Sequence, residues 1–202
     1  MSREQFFWGL SNGVVVLSVA AAFWLGLAAW TLGPSVLLIA AAPILLLSGI
    51  LIRNGYRLRR QASGFSRASL RNAPKGSSIR RIGAGFNIIN ATETAAVALV
   101  GFICWKLNRF DLLWPLIGLV VSLHFLPLGW LFSVRPYYIL GVLGTVIALI
   151  SIVGFDGSAR TVAVGAGLGL LVSGCAVYMI ANASALADAA LRSASSPAEA
   201  LR

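Results

Sequence analysis

Long apolar runs divided by short glycine, proline or charged breaks set the pattern of this chain. From Gln5 to Ile52 there are 48 residues without one Lys, Arg, Asp or Glu. A helix crosses the hydrocarbon with about 20 residues, so the run predicts two spans. They divide at Thr31-Leu32-Gly33-Pro34, where glycine ends one helix and proline opens the next. The same pattern continued along the chain predicts six spans, at about 12–32, 35–53, 83–105, 112–133, 137–155 and 161–182. The fold class is all-α, a polytopic membrane helix bundle in a single integral membrane domain, residues 1–202. Trp8 and Trp30 fall at the two ends of the first span, where interfacial aromatics belong. A cleaved secretory signal is the weaker explanation of the N-terminus. Val14 to Leu32 is longer than a signal core, and the second span follows with no polar segment to hold a cleavage site.

Composition agrees with the pattern: 58% of the residues are hydrophobic, 11% are charged and the mean hydropathy is +0.87. Charge then adds direction. Residues 53–81 hold nine basic residues and no acid, whereas the rest of the chain holds seven basic and six acidic residues. The positive-inside rule makes this loop cytoplasmic, which predicts cytoplasmic N- and C-termini and a place in a bacterial inner membrane. Arg57, Arg59, Arg60, Arg67 and Arg71, with Leu58, Phe65 and Leu70 between them, suit a short interfacial segment against anionic lipid headgroups. A nucleic-acid partner is not predicted, because no RNA- or DNA-binding motif accompanies the arginines. Beyond Asn182, the Ala-rich tail 183–202 reads as a helix emerging into the cytoplasm.

Candidate chemistry is confined to two ionisable residues inside spans, Glu93 in the third and His124 in the fourth. Glu93 lies twelve residues before Trp105 and His124 ten after Trp114, so both sit roughly 15–18 Å below the same membrane face. A carboxylate alone in hydrocarbon costs about 2.5 kcal/mol or more, so Glu93 has to be neutral, paired or beside water. His124 is its natural partner. Asn87, Asn90, Glu93 and Thr94 recur at helical spacing, and Ala98, Gly101 and Cys104 continue a stripe of small residues, which predicts that this face packs against other helices. Pro127 cannot donate to the carbonyl of Leu123, so a kink and a polar spot should coincide next to His124.

The segment Leu123-His124-Phe125-Leu126-Pro127-Leu128-Gly129-Trp130-Leu131-Phe132, with the charged turn and Tyr137-Tyr138 that follow, resembles the signature of a family of small uncharacterised bacterial multi-pass membrane proteins. It is a domain-of-unknown-function family, so the resemblance implies topology and bacterial origin and carries no activity.

Gly141, Gly144, Ala148 and Ser151 in span five, and Gly165, Gly169 and Ser173 in span six, let helix backbones approach closely. They predict packing within one bundle ahead of homo-oligomer formation. Cys104 and Cys175 fall at different depths, so both are expected to be free. No nucleotide loop, nucleophile elbow or metal-ligand cluster occurs, which predicts no cofactor, no metal and no catalytic residue. Two functions of different class remain. One is a small transporter or permease-like protein using an intramembrane site of Glu93, His124, Asn90, Asn87 and Thr94 for an ion, proton or substrate. The other is a non-catalytic membrane subunit or structural protein, with lipid or a membrane protein as its partner.

Overall fold

The computed structural model of the chain describes residues 3–60, 78–132 and 134–188. Six long helices account for most of them: α1 (Arg3–Leu32), α2 (Pro34–Arg60), α3 (Ser78–Lys106), α4 (Leu113–Phe132), α5 (Arg135–Val153) and α6 (Ser158–Ala181). A single 3-10 turn, Phe110–Leu112, leads into α4, and a helical stretch 183–188 follows α6. Each of the six contains a stretch long and apolar enough to cross a membrane, so the chain is an all-α multi-pass membrane protein.

Three tight turns join α1 to α2, α3 to α4 and α5 to α6, and each places one residue at positive φ: Gly33 (123°), Asn108 (52°) and Gly157 (53°). Glycine and asparagine tolerate that backbone where a branched side chain would not. All three turns gather at one end of the bundle, because Arg160 of α6 reaches Asp111 beside the α3–α4 turn and a common cavity touches Thr31, Asp111 and Gly157. Exposed Trp30 and Trp105 ring this end, while exposed Tyr56, Trp130 and Tyr138 ring the opposite one. Trp114 and Trp130, near the two ends of α4, are sixteen residues apart, about 24 Å of helix, which matches the spacing of the two interfaces.

Across the bundle the helices run in the order α2, α1, α6, α5, α4, α3. α1 lies against both α2 and α6, and α4 and α6 also touch. Val14, Leu17, Leu140, Ala176 and Met179 form the centre of the core, and a second cluster of Trp24, Ala148, Val164 and Leu168 packs toward the three-turn end. Gly141, Gly144, Ala148, Ser151, Gly165, Gly169 and Ser173 are all buried. The glycines are needed for the approach of α6 to α1: a Cβ on Gly165 would lie 2.8 Å from the carbonyl oxygen of Trp24, and one on Gly169 would lie 2.5 Å from Cγ of Leu25.

Buried hydroxyls bond mainly within their own helices. Ser18, Ser122, Ser151 and Ser173 each donate to the carbonyl four residues back, at 2.6 to 2.8 Å, which satisfies the group without tying two helices together. Ser48 of α2 is different, donating across to Ser18 O of α1 at 3.4 Å. Helix α2 runs two turns beyond the predicted end of its span. Leu58 of that extension stays in the core cluster, while Arg57, Arg59 and Arg60 remain exposed in the last turn, where cations suit the helix C-terminus. Arg67, Arg71, Phe65 and Leu70 lie outside the described residues, as does the tail from residue 189.

Candidate functional site

Glu93 and His124 meet at the α3–α4 interface. Oε2 of the carboxyl lies 3.1 Å from Nδ1 of the imidazole, with the Glu93 side chain 25% and the His124 side chain 10% exposed. The approach is off the ring N–H direction, so it is a close ion-pair-distance contact without an aligned hydrogen bond, and Nδ1 is otherwise buried without a partner. The ring of His124 lies edge-on to that of Phe125, which stacks on Tyr137 of α5. His124 therefore faces the bundle through one aromatic layer, whereas Glu93 reaches it from the outermost helix. α4 is helical throughout despite Pro127.

The remaining polar residues of α3 do not join this pair. Asn90 is half-buried, but Asn87 and Thr94 are exposed, contrary to the packed face expected from their spacing. The reason is geometric. At about 100° per residue, Glu93 and Asn87 lie roughly 120° apart around the helix axis, and an edge helix with one main neighbour buries only a narrow stripe. That stripe runs through Gly85, Ile89, Glu93, Ala96, Val100 and Cys104, each half-buried or buried. A Cβ on Gly85 would lie 3.0 Å from Cδ1 of Leu131, which shows how closely α3 sits on α4 there. On the far side, Asn87, Ala91, Thr94 and Ala98 form an exposed line of small and polar residues at four- and three-residue steps. Thr92 and Thr94 donate to their own helix, to Ile88 O and Asn90 O, and the amide side chains of Asn87 and Asn90 have no hydrogen-bond partner among the described residues.

A second polar cluster, not singled out by its sequence pattern, closes the three-turn end. Arg109 donates from Nε to Oδ1 of Asp111 at 3.0 Å and from a terminal nitrogen to Oδ2 at 3.2 Å. Arg160 donates to the same Oδ2, to Asp156 Oδ1 at 3.2 Å and, through Nε, to Ile152 O at 3.2 Å. The hydrogen bonds from Arg109 to Asp111 hold that guanidinium above its ordinary pKa, so it stays charged. Charge compensation at two neighbouring turns in the sequence, Arg109 with Asp111 and Asp156 with Arg160, was the only available hint of this link. Cys104 and Cys175 are both free and buried.

Two cavities stand out among the described residues. The larger, about 950 Å³, lies at the three-turn end between α1, α4 and α6, and the smaller, about 360 Å³, between α5 and α6. Neither is lined by Glu93 or His124.

Residues 72–183 match a Family of unknown function (DUF7010). The matched stretch contains α3 to α6, and with them Glu93 and His124. No curated protein and no solved structure matches the chain.

Proposed function

The chain belongs to the DUF7010 family, whose function is unknown, and we propose that it serves as a non-catalytic membrane subunit that receives a partner helix on α3. One observation carries this. Among the six spans α3 has the lowest mean hydropathy, 1.6, and also the least burial, with 6% of its most apolar window inside the bundle. α2 is similarly peripheral, at 11%, but has the highest hydropathy, 2.6, as a lipid-facing helix should. Thr92 and Thr94 are bonded within the helix, but the amide of exposed Asn87 and that of half-buried Asn90 have no partner among the described residues, and another helix can supply one. The line Asn87, Ala91, Thr94 and Ala98 offers both amide donors and room for close backbone approach. In this role the Glu93–His124 contact holds α3 on α4 at the register that presents this line. The basic segment faces the cytoplasm of a bacterial cell, and Arg57, Arg59 and Arg60 lie against anionic headgroups.

Transport is the second function that a specific observation favours, since Glu93 and His124 do approach to 3.1 Å at a similar depth. It predicts that Glu93→Gln abolishes a proton- or ion-coupled flux while leaving expression unchanged. The subunit function predicts no flux to lose.

The test is lipid accessibility in native membranes. Single cysteines at Ala91, Thr94 and Ala98 are compared with single cysteines at Leu38, Ile39 and Leu45 on α2, all exposed in the isolated bundle, using a membrane-dissolved maleimide. Partner coverage predicts slow reaction on α3 and fast reaction on α2. Equal rates on the two helices contradict it.

A further inference from the structure

The larger cavity has the makings of a ligand site that is independent of α3. Its wall contains four aromatic residues, Phe23, Trp30, Phe110 and Trp114, and a single ionisable one, Asp111. The Phe23 and Trp114 rings lie 5.7 Å apart at 60°, forming one continuous aromatic side. Asp111 is only partly used by its arginines: Oδ1 accepts one hydrogen bond and Oδ2 two. A carboxylate offers about four lone-pair sites, so Oδ1 retains capacity for another donor. Neither arginine lines the cavity; both are turned to the carboxylates.

Next to Asp111 the wall is continued by the start of α6, whose Arg160 bonds that carboxylate. Gly157 is the N-cap of this 24-residue helix and gives no side-chain cap, and Gly157 and Ser158 both line the cavity. Ala159 N–H is taken by Asp156 O at 3.1 Å, and the amides of the first turn that remain free favour a negative group. Thr161, one turn on and 8% exposed, lines the same wall with a hydroxyl that has no hydrogen-bond partner among the described residues. One cavity thus offers an aromatic and carboxylate side to a cation, an amide and hydroxyl side to an anion, and an apolar depth of Ala22, Gly26 and Leu27.

We propose that this cavity binds a zwitterionic phosphate–ammonium headgroup of the phosphoethanolamine kind, with the ammonium on Asp111 and the aromatic rings and the phosphate at the start of α6. A primary ammonium fits better than a quaternary one, because only the former has N–H groups to donate to Oδ1. The headgroup belongs either to a bilayer lipid or to a free phosphomonoester.

Brominated lipids test this through the tryptophans of the wall, Trp30 and Trp114. The full chain is reconstituted in phosphatidylcholine vesicles containing a rising fraction of chain-brominated phosphatidylethanolamine, phosphatidylglycerol or phosphatidylcholine. Expected is saturable quenching by the ethanolamine lipid at a fraction about tenfold below the other two, the scale of one charge-assisted hydrogen bond. Gly26→Leu removes the saturable component. A Cβ on Gly26 meets nothing within 4 Å, so the new side chain starts into open space on the cavity wall. Asp111→Asn abolishes the preference over phosphatidylcholine. Soluble phosphoethanolamine that reverses the quenching assigns the site to the headgroup alone, whereas saturation that it fails to reverse assigns it to the intact lipid. Quenching that rises linearly and alike with all three lipids, or that Gly26→Leu leaves unchanged, overturns the proposal.

Discussion

At Glu93 and His124, two residues 31 positions apart come within 3.1 Å although each sits alone in an apolar helix. Their similar depth was legible by counting from Trp105 and Trp114. Their contact was not, because depth leaves the rotation of each helix open. If the contact is structural, a double-mutant cycle of Glu93→Gln and His124→Leu gives a coupling of about 0.6–2 kcal/mol by reversible unfolding in mixed micelles. Infrared difference spectra of wild type against Glu93→Gln then show a carboxyl band that ignores bulk pH. A band that titrates and changes with His124→Ala makes the pair solvent-reachable and favours transport. The glycines are simpler. Gly165→Ala places a methyl 2.8 Å from Trp24 O and is expected to lower stability by about 1–3 kcal/mol, while Gly49→Ala, with open space around it, stays within ~1 kcal/mol of wild type. Thermal denaturation of the two variants in the same detergent checks the contrast.

Among the helices, apolar length and turn chemistry made all six visible in advance, since Gly33-Pro34, the polar 106–111 stretch and Asp156-Gly157 interrupt long runs that nothing else breaks. The orientation of the polar face of α3 was misjudged for an equally physical reason. Polar residues at three- and four-residue spacing mark a side of a helix, but which side is buried depends on how many neighbours the helix has, and α3 packs chiefly on α4. Hydroxyl pairing was also hidden, because a serine or threonine inside a helix can satisfy itself four residues back. Arg160 and Asp111, 49 residues apart, tie the α5–α6 turn to the α3–α4 turn. Asp111→Asn and Arg160→Gln are each expected to lower the midpoint of thermal unfolding, and the double variant to lower it by less than their sum. High salt should shrink the Asp111→Asn effect, because partly exposed charges are screened. A midpoint unmoved by either single change would show that the link contributes nothing to stability.

For the whole molecule, the central claim is that the bundle is incomplete by itself: its most polar span lies on its edge with 6% of its apolar window buried. Hydropathy separates α2 from α3, but their shared position at the periphery, which turns that difference into a conflict, emerges only from the packing order. The decisive measurement is native mass spectrometry of the protein excised from its own membrane in polymer-bounded discs, without detergent. The prediction is a wild-type assembly heavier than one 21.3 kDa chain with its lipids, containing a second copy or another membrane protein, and its reduction to the single chain by Thr94→Phe with Ala98→Phe. A wild-type chain that leaves the membrane alone, at the mass of one copy, would contradict it.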